Sequence, residues 1–140
     1  MTSDSNTRQL PPIRQPLRLS QEDFNCFARL SGDHNPIHVD PDFSSRTRFG
    51  ATVSHGMLLF TALRGLIARH FPDWHMTHQD LKFPAPAYAD ESLALEVQPQ
   101  PEAGDGALTL ITRIIKDDGR ACLAGQCRLI PHAAQVEEQS

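Results

Sequence analysis

Two short stretches of the sequence carry polar side chains whose types and spacing suit proton transfer. The first, residues 31–38, reads Ser-Gly-Asp-His-Asn-Pro-Ile-His and contains Asp33 and His38. A carboxylate and an imidazole are the groups most used as acids and bases near neutral pH. Gly32 can end a helix in the left-handed conformation, and Pro36 disfavours helical geometry in the residue before it. The pattern therefore predicts a turn that holds Asp33 and His38 about one helical turn apart.

The second stretch lies at the start of a long apolar segment and reads Ser54, His55, Gly56 and Met57. The N-terminus of a helix offers backbone N–H groups without partners and a partial positive charge, and Gly56 lets a ligand approach the backbone. Such a terminus can hold a carbonyl oxygen that gains negative charge. If the loop with Asp33 and His38 faces it, the set suits reaction at the carbon α to a thioester.

Both stretches also have a purely structural interpretation. Asp33 and Asn35 can bond local backbone N–H groups in an Asx-turn, with His38 a histidine whose ring is satisfied in the core or at the surface. Ser54 can simply cap the helix, and Gly56 can allow close packing. The residues alone leave these alternatives open.

A metal site is not expected. His34 and His38 have the i, i+4 spacing of metal ligands on a helix, but Pro36 between them disfavours that helix. The chain has three cysteines, an odd number that does not build a disulfide framework. Cys122 and Cys127 are five residues apart in a predicted strand, so they should point to opposite faces and not share an ion.

Capped helices and strands must hold these stretches in place. A helix over Gln21–Leu30 is predicted from the cap at Ser20 and the acid at Asp23. On this helix the three-residue spacing of Phe24, Phe27 and Leu30 predicts a core-facing stripe. The other expected elements are a strand at 17–19, a short helix at 41–46, a long helix at 55–70, and strands at 78–83, 92–97, 107–115 and 120–130.

The long helix is apolar on most faces, which predicts burial nearly all round. Strands that follow one another after it predict an antiparallel sheet and an α+β fold. One helix under such a sheet leaves sheet edges and a helix end exposed, so we expect pairing with a second copy.

Composition bounds the domain count and excludes several classes of partner. The chain has 140 residues, enough for one domain, which we place at 16–131 between a flexible extension at 1–15 and a flexible tail at 132–140. Scattered basic residues and a net charge of -4 argue against nucleic acid. His55, Arg64 and Arg69 interrupt the longest apolar stretch, which argues against a membrane span. The polar N-terminus lacks a secretory signal, so a cytoplasmic location is expected.

The two polar stretches together carry a resemblance to a known family. The run Phe27 to Asp40, FARLSGDHNPIHVD, and the run Val53 to Leu58, VSHGML, resemble the signature of MaoC-like, (R)-specific enoyl-CoA hydratases. The resemblance extends from about Phe24 to Gly65, and the strand order after it is compatible with the family to about Ile130.

The resemblance implies a hot dog fold, an antiparallel sheet wrapped around a long helix, paired into a homodimer with the active site at the subunit interface. It implies that Asp33 and His38 activate water and move the proton at C2, that Asn35 orients them, and that the Gly56 N–H holds the thioester oxygen. Ser54, His55 and Met57 would join Asn35 and Gly56 in binding substrate. The reaction would be reversible syn hydration of a trans-2-enoyl thioester to an (R)-3-hydroxyacyl thioester, without metal or redox cofactor.

Three alternatives remain within the same resemblance. They are a 3-hydroxyacyl-ACP dehydratase, a hot dog acyl thioesterase, and a non-catalytic acyl-binding subunit. One position departs from the family pattern, because Arg64 stands on the long helix where a small or hydroxyl residue is expected. Arg64 would shorten the acyl tunnel or pair with a carboxylated acyl group if it faced inward, and would be a solvated or interfacial cation otherwise.

Overall fold

Four helices and five strands make up the fold in a computed structural model that describes residues 10–101 and 104–132. In chain order they are β1 (Ile13–Leu17), α1 (Gln21–Ser31), α2 (Pro36–Val39), α3 (Pro41–Ser45), α4 (Gly56–His70), β2 (Trp74–Gln79), β3 (Leu93–Pro99), β4 (Leu108–Lys116) and β5 (Ala121–Pro131). The strands form one antiparallel sheet in the order β1-β3-β4-β5-β2. The predicted α+β class is confirmed.

Helix α4 packs one face against this sheet. Leu59, Leu63, Leu66 and Ile67 are each at most 2% exposed, and their spacing places them on one side of the helix. They join the alternate buried residues of β3, β4 and β5 in a single core cluster. The opposite side is less covered, since Met57 is 51% exposed. Burial of α4 nearly all round, as the sequence predicted, is therefore not reached within one chain.

Two strands lie several residues before their predicted places. Strand β1 begins at Ile13, so residues 13–15 of the predicted extension pair with β3, and Pro16 is tolerated because β1 is an edge strand. Strand β2 ends at Gln79. At Asp80 the chain crosses so close to Gly125 that a Cβ on residue 125 would collide with the Asp80 carbonyl. Most of the predicted extension, residues 1–9, and of the predicted tail, residues 133–140, lies outside the described residues.

Two predictions of side-chain direction were wrong. Phe24 is fully buried, but Leu30 is 80% exposed, because α1 packs on the rest of the chain through Phe24 and Ala28, a four-residue step. Cys122 and Cys127 both lie in the core rather than on opposite faces. The pairing of β4 with β5 shifts register at this point, and the bulge carries Cys122 to the inner face.

Among the described residues, no helix is long and apolar enough to cross a membrane.

Candidate active site

The loop between α1 and α2 is built from hydrogen bonds between near neighbours. Helix α1 ends at Gly32, whose φ of 82° is the left-handed conformation that the sequence predicted. The Asp33 N–H then donates to Ser31 Oγ at 3.1 Å, and the Asn35 N–H donates to Asp33 Oδ1 at 3.2 Å. Asn35 Oδ1 in turn accepts from the Ile37 N–H at 3.1 Å and caps α2. The Asx-turn interpretation of Asp33 and Asn35 is therefore correct as geometry, and the turn itself does not use Asp33 Oδ2.

His38 lies on the single turn of α2, which begins after Asn35 and therefore leaves His34 outside it. The ring is 9% exposed, and its Nδ1 lies 2.8 Å from the backbone oxygen of Val53. Since a carbonyl only accepts, we assign the proton to Nδ1 and the lone pair to Nε2. That Nε2 lies 3.9 Å from Asp33 Oδ2, too far for a direct hydrogen bond and close enough for one water to bond both.

His55 supports both residues from behind. Its ring stacks on His38 with centroids 3.9 Å apart, and its Nε2 lies 3.0 Å from the Asp33 backbone oxygen, to which it donates. Its Nδ1 is buried and has no hydrogen-bond partner within the described part of the chain. Burial is the main cause that lowers the pKa of His55 below its ordinary value of 6.5, and the neighbouring His38 acts in the same direction. The lowered pKa favours the neutral form of His55 beside the His38 ring.

Asp33, His38 and His55 also place three potential metal ligands within 4.8 Å of one another. The two rings are stacked with an interplanar angle of 25°. Ring nitrogens donate to a metal within the ring plane, so stacked rings aim their lone pairs along neighbouring planes and not at one point. Two of the four ring nitrogens are also engaged with carbonyl oxygens. The group fits a proton-transfer site better than an ion site.

Helix α4 begins at Gly56 with His55 as its N-cap residue, and no side chain caps it. Ser54 does not fill the role of cap, because its hydroxyl donates to the His55 backbone oxygen at 2.9 Å. The Gly56 N–H, at the first position of the helix, has no acceptor among the described residues. A Cβ at Gly56 would lie 2.9 Å from the Phe83 ring, so the close-packing interpretation of Gly56 also holds.

Two hollows meet at Gly56 and Phe83. The larger, about 560 Å³, contains His38 and is walled by apolar side chains such as Leu59, Ala85 and Tyr88. The smaller, about 410 Å³, contains Asp33, His55 and Met57. The Phe83 ring stands between them at 44% exposure. Asp33 and His38 therefore face one another at the seam of the two hollows, beside the Gly56 N–H.

Most of the residues singled out in the sequence come together here, but Arg64 does not. It is exposed on α4 and lines a separate hollow with residues such as Phe71 and Trp74. The arginine in the larger hollow is Arg48, which lies over the Phe49 ring at 4.9 Å. Sequence reasoning missed Arg48 and the wall at 83–88, although aromatic residues flanking Pro84 and Pro86 were a readable sign of an ordered loop.

The comparisons with known proteins agree with this geometry. The family model for the MaoC-like domain matches residues 4–107, a range that contains both polar stretches. The chain belongs to the MaoC-like domain family. One relative, an (R)-specific enoyl-CoA hydratase of Aeromonas caviae, is 32% identical over 81% of this chain and 90% of its own length.

Two further comparisons extend the MaoC-like assignment. A mitochondrial 3-hydroxyacyl-[acyl-carrier-protein] dehydratase of Arabidopsis thaliana is 36% identical over 59% of this chain and 51% of its own length. A solved (R)-hydratase from A. caviae, described as involved in PHA biosynthesis, superposes with a TM-score of 0.83 at 29% identity, covering 89% of this chain and 96% of that one. The hot dog fold expected of a MaoC-like domain is confirmed.

Proposed function

We propose that this MaoC-like protein is an enoyl-thioester hydratase that adds water reversibly to a trans-2-enoyl-CoA and gives an (R)-3-hydroxyacyl-CoA. The observation that carries the proposal is the 3.9 Å gap between Asp33 Oδ2 and His38 Nε2, beside a Gly56 N–H that no described residue accepts. The names of the A. caviae hydratase and of the solved (R)-hydratase support the same reaction class.

The gap suits a water molecule that both side chains hold. Asp33 Oδ2 accepts one hydrogen bond from this water, and His38 Nε2 removes its proton as the oxygen adds to C3 of the enoyl group. The same Nε2 then returns the proton to C2, so hydrogen and hydroxyl arrive from one face. During the step the thioester oxygen gains negative charge, and the Gly56 N–H at the positive end of α4 stabilises it.

Asn35 and His55 act on this pair without touching the reacting atoms. Asn35 fixes the loop by bonding Asp33 Oδ1 and by capping α2, and His55 holds the Asp33 backbone while it packs on His38. Water addition needs only a base, an acid and an oxyanion donor, all of which the chain supplies. We therefore propose that it needs no metal or redox cofactor. Full activity after dialysis against a chelator is expected, and loss that one divalent ion restores would contradict this.

A homodimer with the site at its interface would complete the smaller hollow. The Asp33 side chain is 53% exposed, Met57 in the same hollow is 51% exposed, and Leu30, three residues before Asp33 in the sequence, is 80% exposed. Apolar side chains beside a catalytic carboxylate are typical of a surface that another molecule covers. Native mass measurement should give twice the mass of the chain, and Leu30→Glu should shift it toward the monomer with loss of activity. A catalytically active wild-type monomer would contradict the interface site.

The test of the activity is a screen of enoyl-CoA substrates, from crotonyl-CoA to longer, branched and carboxylated ones. Hydration is measured as the loss of absorbance of the conjugated double bond. Because Arg48 lines the larger hollow, terminal charge is included as a variable. The Arabidopsis relative favours a second candidate, the reverse reaction on an acyl carrier protein. Assays with 3-hydroxyacyl-CoA and 3-hydroxyacyl-ACP separate the carriers, and a thiol reagent detects a thioesterase. Inactivity in all of these assays would overturn the hydratase proposal and favour a non-catalytic acyl-binding subunit.

A cytoplasmic location stays part of this proposal.

A further inference from the structure

Lys116 is a buried cation that the proposed chemistry does not use. Its side chain, at the end of β4, is only 3% exposed, and Nζ lies 3.4 Å from Glu91 Oε2. The same Nζ donates to the backbone oxygen of Pro86 and lies 5.0 Å from the centre of the Tyr88 ring. A buried ammonium group is costly unless every donor finds a partner, so this degree of engagement needs an explanation.

All three partners of Lys116 lie in one loop, residues 86–91, which is part of the wall of the larger hollow. Glu91 adds a bond within the loop, because its Oε1 accepts from the Tyr88 N–H at 3.0 Å. Pro86, Ala87 and Tyr88 line the hollow together with His38 and Gly56. Lys116 therefore ties the sheet to the wall of the candidate active site at three points.

The loop is bonded in turn to the segment that holds His38. The Ala87 backbone oxygen accepts from the Ser54 N–H at 2.8 Å, and Val53 pairs with Tyr88 as an isolated bridge. Val53 is the residue whose backbone oxygen accepts the His38 Nδ1–H at 2.8 Å. A continuous series of contacts thus runs from Lys116 through Tyr88 and Val53 to His38.

We propose that Lys116, with Glu91, is a positioning residue for the catalytic histidine. It fixes the 86–91 loop, the loop fixes Val53, and the Val53 carbonyl sets the ring direction and tautomer that present Nε2 to Asp33. This inference rests on the proposed hydratase activity for its kinetic test. It has a second readout that does not need activity.

The kinetic test compares Lys116→Met with Arg113→Met. Arg113 is also on β4 and also forms an ion pair, but it is exposed and its partner is Glu96 on β3, outside the loop. Misplacing a base by about 1 Å costs up to about 100-fold. In Lys116→Met we therefore expect kcat to fall about tenfold or more and KM to change much less. In Arg113→Met kcat should stay within about twofold. Both are measured well below the unfolding transition, so that lost stability alone does not enter.

Glu91→Gln provides a milder variant, because the amide oxygen still accepts from Tyr88 while the charge is lost. We expect a smaller fall in kcat in Glu91→Gln than in Lys116→Met. The double variant should be no worse than Lys116→Met alone, since both residues act through the contacts between Lys116 and the 86–91 loop, which we call the Lys116 clamp. If Lys116→Met does not fold, Glu91→Gln against Arg113→Met decides. The proposal is overturned if a folded Lys116→Met variant has a kcat within about twofold of wild type. If Lys116→Met does not fold, the same result in Glu91→Gln overturns it.

Cys122 supplies the readout that is independent of activity. It lines the same hollow and is fully buried, and burial raises its pKa to about 11, with Glu91 raising it further and Lys116 opposing. Loss of the Lys116 charge alone should therefore slow alkylation by N-ethylmaleimide. A loosened wall should instead speed it, and we expect faster labelling of Cys122 in Lys116→Met, detected by peptide mass spectrometry. Unchanged or slower labelling of Cys122 overturns the proposed role of Lys116, whether or not the wild-type protein hydrates any substrate. A wild-type protein that hydrates no substrate overturns the proposed function, and the labelling result does not depend on it.

Discussion

The two sides of the candidate site are held in different ways. On the loop at 31–38, each hydrogen bond that shapes the Asp33 turn joins residues two apart in the sequence. On the wall at 83–91, the bonds reach distant parts of the chain: Ala87 to Ser54, Pro86 to Lys116, and Asp90 to Leu19. The side chains that shape the Asp33 turn can therefore be altered one at a time with the fold intact. The wall cannot, because it shares its contacts with the sheet and with the start of α4.

The largest effect is expected from substitutions that remove the acid or base group from the loop and keep its hydrogen bonds. Asp33→Asn keeps the oxygen that accepts from the Asn35 N–H, and His38→Gln keeps a side-chain donor for the Val53 carbonyl. We expect kcat to fall by about 10²-fold or more in each, the range for a positioned acid or base, with the urea midpoint little changed. His34→Gln, at an exposed residue of the same loop, is the control.

Near-normal hydration by both variants would remove the proposed mechanism while leaving the fold. A large fall in the urea midpoint would show instead that the loop is as tightly coupled to the fold as the wall.

Gly56→Ala tests the seam where loop and wall meet. The new methyl group would lie 2.9 Å from the tip of the Phe83 ring, which is 44% exposed and able to move. We expect a folded protein whose kcat/KM falls about tenfold, equivalent to about 1.4 kcal/mol, because the displaced ring enters one of the hollows. Phe83→Leu in the same chain should restore most of the loss by removing the ring tip.

Equal losses in the single and double variants would place the effect on the Gly56 N–H itself. Steady-state kinetics with the preferred enoyl-CoA separates the two outcomes.

The same contrast explains what could be predicted from the sequence. The capping box at Ser20, the left-handed Gly32 and the short helix that begins at Pro41 each depend on a few neighbouring residues, and each was predicted. The single helical turn that begins at Pro36 was not predicted. Spacing also gave the α+β order of elements. Leu30 was assigned to the core wrongly, because the stripe of α1 is set by what packs on it and not by its own three-residue repeat.

Contacts across the fold gave no local signal. The bulge that turns Cys122 inward depends on the pairing of β4 with β5, and the position of Arg64 depends on the rotation of α4 against the sheet. The Lys116 clamp joins residues 25 to 30 positions apart. Such contacts follow from tertiary packing, which no pattern within one segment encodes.

A smaller effect is expected when a cap is removed from the loop. Asn35 caps α2 and Asp40 caps α3 in the same manner, each accepting from a backbone N–H at 3.1 Å. Asn35→Ala and Asp40→Ala should each lower the free energy of unfolding by about 1 kcal/mol in urea titrations. Only Asn35→Ala should also lower kcat, by a few fold, because its cap orients His38. An equal effect of both variants on kcat would show that the loop acts on the site through stability alone.

The smallest expected effect concerns His55, where the loop meets the wall. Because its pKa is lowered in the folded state, the unfolded chain takes up a proton below about pH 6.5 while the folded chain does not. This part of the stability is therefore fully present above pH 6.5 and is lost as the pH falls toward the folded pKa. Gln at position 55 retains a donor for the Asp33 carbonyl and does not titrate. We expect His55→Gln to lose less stability than wild type between about pH 7.5 and 5.5 in urea titrations.

His78→Gln, at an exposed histidine on β2, is the matched control and should keep the wild-type dependence on pH. If His55→Gln keeps it too, then burial does not lower the pKa of His55 in the folded protein, and the view that a neutral ring supports His38 is wrong.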